Sequence, residues 1–85
     1  MSNATISSIA QEAACLLNAA GHQVVWNAED GAASITFNGD VYAVNKDDSA
    51  DALRVAIDGY YKSIKTNGRS KYDIARDIYT AITTF

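Results

Sequence analysis

The sequence predicts an α+β domain: a helix, a three-stranded antiparallel meander, then two helices (αβββαα), with the helices packed on one face of the sheet. Three observations carry that expectation. Ser34-Ile35-Thr36-Phe37 and Asp40-Val41-Tyr42-Ala43-Val44 alternate in polarity on either side of Asn38-Gly39. Both residues of an Asn-Gly pair tolerate positive φ, which makes the pair a strong signal for a two-residue hairpin turn. Ahead of this hairpin, Ile6, Ile9, Ala10, Ala13, Leu16, Leu17 and Ala20 recur at helical spacing, and apolar positions at that spacing recur again behind it.

The elements follow in chain order. Ser2, Asn3 or Thr5 caps helix 1, which spans about residues 4–20 and stops at Gly21. His22 to Asn27 contains Val24-Val25-Trp26 and forms strand 1, and Ala28-Glu29-Asp30-Gly31 is the connecting turn. In the hairpin, a two-residue turn places Phe37 opposite Asp40, Ile35 opposite Tyr42 and Ala33 opposite Val44. Side chains alternate along a strand, so Ile35, Phe37, Tyr42 and Val44 share the core face. Asp47, Asp48 or Ser49 caps helix 2. Its inner face is Leu53, Ala56, Ile57, Tyr60 and Ile64, and Asn67-Gly68 ends it. Arg54, Asp58, Lys62 and Lys65 form its outer face, with i,i+4 pairs Arg54–Asp58 and Asp58–Lys62. Val55 falls on that polar side. Ser70 with Asp73 opens helix 3, which runs to about Thr83 with Ile74, Ile78, Ala81, Ile82 and Phe85 inward.

Eighty-five residues, 48% of them hydrophobic and 20% charged, make one folded domain over 1–85 rather than a disordered chain. A chain of this size buries about 60–65% of its unfolded surface, enough for a thin core. No apolar run approaches the roughly 18 residues of a membrane span, and no secretory leader pattern opens the chain. Cys15 is the one cysteine, so no internal disulfide forms, and a cytoplasmic setting is expected.

The net charge of −3 is unevenly spread. Residues 1–45 hold Glu12, Glu29, Asp30 and Asp40 and no lysine or arginine; all seven basic residues follow. A basic footprint over the whole domain is absent. A meander reverses direction at each turn, so the strand 1–2 turn and the strand 3–helix 2 junction share one end. That end gathers Glu29, Asp30, Asp47, Asp48 and Asp51. The other end would gather His22, Lys62, Lys65, Arg69 and Lys71. Two readings of the acids stay open. They stabilise a helix N-terminus by ~0.3–1 kcal/mol each, or they steer a basic partner to the surface. Likewise the lysines either complement helix dipoles or touch phosphates, with Tyr60, Tyr61 and Tyr72 nearby. On helix 3, Tyr72, Arg76, Tyr79 and Thr83 form a second stripe. Tyrosine and arginine anchor interfaces, including contacts between copies, although such a stripe also packs within a small domain.

Catalytic patterns are missing. Cys15 has no local cation to activate it, and His22 has no nucleophile and acid at triad-like positions. Asn45, Asp47, Ser49 and Asp51 match the alternating start of a calcium loop. Ala50 replaces its glycine and Ala56 its bidentate glutamate, so no metal ligand set and no cofactor is assigned.

The αβββα order over residues 4–66 resembles the double-stranded RNA-binding domain. That family grips phosphates with lysines where its last helix begins; here the same place reads Asp47-Asp48-Ser49-Ala50-Asp51. In size, acidity and layout the chain is also similar to small phage inhibitor proteins, anti-CRISPR proteins among them. That resemblance implies a non-enzymatic protein-binding module that blocks a basic, nucleic-acid-binding surface of a partner. Its contacts would be Glu29, Asp30, Asp47, Asp48 and Asp51, with Tyr72, Arg76 and Tyr79 as anchors. The alternatives are a weak nucleic-acid binder using Lys62, Lys65, Arg69 and Lys71, and a metal-dependent or other small enzyme.

Overall fold

The computed structural model describes residues 5–29, 31–47 and 52–85. Helix α1 (Ile6–Ala19) leads into five strands: β1 (Val24–Glu29), β2 (Ala32–Phe37), β3 (Asp40–Asp47), β4 (Ala52–Ile57) and β5 (Tyr60–Lys65). Helix α2 (Lys71–Thr84) ends the chain. The strands pair antiparallel in the order β1-β2-β3-β4-β5, so β1 and β5 are the sheet edges. The class is α+β as expected, with five strands and two helices in place of three and three.

The helix ends obey local chemistry. The Thr5 side chain accepts from the Ser8 backbone N–H while Ser8 returns a bond to the Thr5 backbone, a reciprocal cap for α1. Gly21 at φ 93° lets the chain leave that helix, with the His22 N–H donating to the Leu17 carbonyl. Ser70 caps α2 through the Asp73 N–H.

The hairpin register is the one that alternation predicts: Phe37 opposite Asp40, Ile35 opposite Tyr42, Ala33 opposite Val44. Asn38 and Gly39 sit at φ 53° and 83°. Strand β1 is shifted two residues from expectation, because the chain stays extended through Glu29, which pairs with Ala32.

The predicted helix 2 does not exist. Residues 52–57 and 60–65 form a hairpin that turns at Asp58 (φ 50°) and Gly59 (φ 83°). Ile57 faces Tyr60, as Phe37 faces Asp40. The apolar set of this stretch fits both periods. Val55 decides between them: stranded on the polar side of a helix, it lines up with Leu53 and Ile57 in a strand and is fully buried. The supposed Arg54–Asp58 and Asp58–Lys62 helical pairs are thus replaced by strand and turn positions. Asp47 ends a strand rather than capping a helix; the proposed caps Asp48 and Ser49 lie outside the described residues. Asn45, the first position of the incomplete calcium-loop match, pairs with Arg54 across β3 and β4. The αβββα order becomes one helix, five strands and one helix.

Both helices cover the same side of the sheet. Leu17, Ile35, Val44, Val55, Ile74, Ile78 and Ile82 are its largest fully buried side chains. Ala10, Ala13 and Ala75 are also fully buried, and α1 and α2 pack against each other. At the end of the sheet that holds the Asn38-Gly39 turn, aromatic rings close the layer. His22 meets Phe37 edge-on at 4.9 Å, and Tyr42 lies 6.4 Å from Phe37 and 5.7 Å from Phe85. Contacts of this kind contribute about 0.5–1.5 kcal/mol beyond burial.

Candidate functional site

Placing both helices on one side leaves the other side of the sheet uncovered by any described element. Cross-strand partners point the same way, so the pairing reads out that face row by row. One row is Asn27, Ser34, Ala43, Ala56 and Tyr61; the next is Glu29, Ala32, Asn45, Arg54 and Ser63. Small side chains, Ser34, Ala43 and Ala56, occupy the middle of the first row, and Ala32 extends them into the second. Toward β5 the face is built up by Arg54, whose guanidinium lies 4.3 Å from the centre of the Tyr61 ring. Toward β1 lies an open trough of about 290 Å³, lined by Asn27, Glu29, Ala32, Ser34, Ala43 and Asn45 among others. The trough exists because alanine and serine project too little to fill it. Its polar rim is rich in acceptors: the Glu29 carboxylate, the Ser34 hydroxyl and the Asn45 amide oxygen.

The loop end of the sheet collects only part of what the sequence suggested. Glu29 ends β1 and Asp47 ends β3 at that end of the sheet. Asp30, Asp48 and Asp51 lie outside the described residues. The basic residues are split between the ends: His22, against Phe37, and Lys62, beside Phe85, lie toward the Asn38-Gly39 turn as expected, and Lys65 and Arg69 do not. The extra hairpin brings the chain back, so Lys65 pairs with Ala52, which pairs with Asp47. Lys65 therefore shares the acidic end, and Arg69 follows it there. Among the described residues the charges are therefore only partly separated from end to end.

The four predicted phosphate-binding residues are largely committed within the molecule. Arg69 meets Asp77 at 2.6 Å and also donates to the carbonyls of Lys65 (3.0 Å) and Asp73 (3.2 Å). Its hydrogen bond to Asp77 raises its already high pKa further. Lys62 Nζ donates to Thr84 Oγ1 at 3.2 Å and sits 4.9 Å from the Phe85 ring centre, at the negative end of α2. Lys71 Nζ is 5.3 Å from the Tyr72 ring centre. Lys62 and Arg69 thus engage opposite ends of one helix and do not form a patch.

The α2 stripe is divided as well. Tyr72 and Arg76 are exposed, while Tyr79 is half-buried against the core. Cys15 is exposed on α1, and His22 packs on Phe37. Among the described residues no group of three or more His, Cys, Asp or Glu side chains is placed to hold a metal ion, and no helix is long and apolar enough to cross a membrane. Comparison with protein-family models, with curated proteins and with solved structures gives no significant match.

The trough went unseen in the sequence because its residues are small and chemically quiet. The available signal was alternation itself. Once Ile35 and Phe37 face the core, Ser34 and Thr36 must face away, and Ala43 joins them across the hairpin.

Proposed function

We propose that this chain is a non-enzymatic protein-binding module that docks on a basic surface of a partner protein, as an inhibitor that covers a nucleic-acid-binding surface does. The observation that carries this reading is the acceptor-lined trough on the bare sheet face, with Glu29 at its lip. A lysine or arginine projecting from a partner finds there a carboxylate, a hydroxyl and an amide oxygen over a floor of alanine. Arginine gains most, because its fork of donors matches several acceptors at once. Glu29, Asp30, Asp47, Asp48 and Asp51 supply steering by charge, and Tyr72 and Arg76 remain exposed for secondary contacts.

Titration with an arginine-rich peptide tests this. The reading expects saturable binding that weakens with salt, that Glu29→Lys reduces about ten-fold or more, consistent with ~1.5 kcal/mol or more for a close charge pair. Ala43→Leu, which fills the trough without altering charge, should weaken it similarly. Binding that depends on net charge alone and ignores both variants would remove the trough from the account. No observation favours the nucleic-acid alternative, since Lys62 and Arg69 already have intramolecular partners.

A further inference from the structure

The two edges of the sheet are not equivalent, and the difference follows from the turns. A two-residue turn makes its flanking pair hydrogen-bond to each other. Phe37 and Asp40 flank one such turn, so Phe37, Ile35 and Ala33 bond to β3 and leave Thr36, Ser34 and Ala32 to bond to β1. Their partners fix the parity of β1. Val25, Asn27 and Glu29 bond to β2, and the backbone groups of Val24, Trp26 and Ala28 point outward. For β5 the turn at Asp58-Gly59 directs Tyr61, Ser63 and Lys65 outward.

Edge β5 is guarded. It carries Lys62 and Lys65, and the outward Lys65 carbonyl is capped by Arg69 Nη1 at 3.0 Å. Lysines and capped carbonyls are ordinary defences of a sheet edge. Edge β1 has no charge from Val24 to Ala28 and no proline. Val25 is 70% exposed, and Trp26 remains 36% exposed although it points to the helix side. Its backbone has a local defence: Asn27 Oδ1 accepts from the outward Ala28 N–H at 2.9 Å.

We infer that β1 is a pairing edge for the β1 strand of a second copy, antiparallel about a two-fold axis at Trp26. The parity selects this register. Trp26 faces Trp26 of the second copy and Val24 faces its Ala28, which offers about six hydrogen bonds; four use groups that point freely outward, and the two donated by Ala28 form once Asn27 Oδ1 releases that N–H. A shift of one residue would put the helix layers on opposite faces, and a shift of two leaves Val24 or Ala28 without a strand partner. Charge agrees with the antiparallel sense. Each Glu29 runs past the ladder toward Gln23 and His22 of the other copy, and the two Glu29 residues stand roughly 20 Å apart. That exceeds the ~8 Å screening length at physiological ionic strength.

The pairing extends the sheet in its own plane. Both bare faces stay on the same side, so the two troughs become a bivalent surface. The buried area is that of one strand edge and two indole rings, below the ~1,200 Å² of a standard interface, which places the dimer in the weak class.

Trp26 is the single tryptophan, so its emission reads the axis directly. Sedimentation and fluorescence over about 1 μM to 1 mM protein should show mass doubling and a blue shift with one shared midpoint. Val25→Lys puts two ammonium groups on one face about 8 Å apart across the axis and should weaken the dimer about ten-fold or more. Ala28→Pro removes an outward donor without touching the β1–β2 bonds and should do the same. Asn27→Thr frees the Ala28 N–H and should tighten the dimer several-fold, a direction that damage to the fold does not produce. A monomer throughout, a dimer indifferent to Val25→Lys, or a dimer with unchanged emission overturns the inference.

Discussion

Replacing Gly59 with alanine separates the hairpin from the helix that the same residues mimic, because the two structures predict opposite signs. Gly59 has φ 83°, in the left-handed region. A Cβ added there meets nothing within 4 Å, so the effect comes from the backbone alone. Holding an L-residue in that region costs about 1–2 kcal/mol. Reduced freedom of the unfolded chain offsets roughly 0.4–1 kcal/mol of it. The net expectation is a loss of about 1 kcal/mol, or ~4–8 °C in Tm for a domain of this size. Within a helix, the same substitution would instead stabilise by ~1 kcal/mol. Urea unfolding at neutral pH measures the difference, read as a lower midpoint with an unchanged slope. A raised midpoint would refute the β4–β5 hairpin.

Three further expectations rest on other parts of the molecule. Val55 is fully buried between strands and helices, so Val55→Ala should cost about 1.5–3 kcal/mol in the same assay, whereas an exposed helical position would tolerate it. Burial, followed by the charges of Asp40 and Asp58, raises the Tyr42 phenol above its ordinary pKa of 10.0. The folded state then holds that proton more tightly than the unfolded one. Stability attributable to this group is full below pH 10 and falls as pH rises beyond it, and Tyr42→Phe should flatten that alkaline decline in a series of unfolding curves. Arg69 ties the end of β5 to α2. Arg69→Met should therefore speed amide hydrogen exchange in β5 and the first turn of α2 more than in β2.

How far the sequence disclosed this structure depended on whether one period stood alone. The Asn38-Gly39 hairpin was legible down to its register because the flanking residues alternate and match no helix. The first helix was legible through its apolar spacing and its Thr5 and Gly21 ends. Residues 52–65 were not. Leu53, Ala56, Ile57, Tyr60 and Ile64 suit a helical stripe, while Leu53, Val55, Ile57 and Ile64 suit a hairpin core. Propensity left the tie unbroken, and Asp58-Gly59 carried the same turn signal as Asn38-Gly39. Val55 was the residue out of place.

That single exchange of helix for hairpin propagated into the site. It returned Lys65 to the acidic end, tied Lys62 and Arg69 to α2, and widened the sheet from three strands to five. The acids Glu29 and Asp47 were placed at one end by chain reversal alone, which both arrangements share. The trough was hidden for a different reason. Ala32, Ser34 and Ala43 matter through the volume they leave empty, and residue type does not advertise empty volume.

The claim on which the rest depends is that the helix-free face of the sheet receives a basic partner. Backbone amide shifts of ¹⁵N-labelled protein, followed through titration with an arginine-rich peptide, test it most directly. The account predicts that the responding amides cluster at Asn27, Glu29, Ala32, Ser34, Ala43 and Asn45, while α1 and α2 stay still. Responses centred on the helices, or spread evenly over every acidic residue, would contradict it.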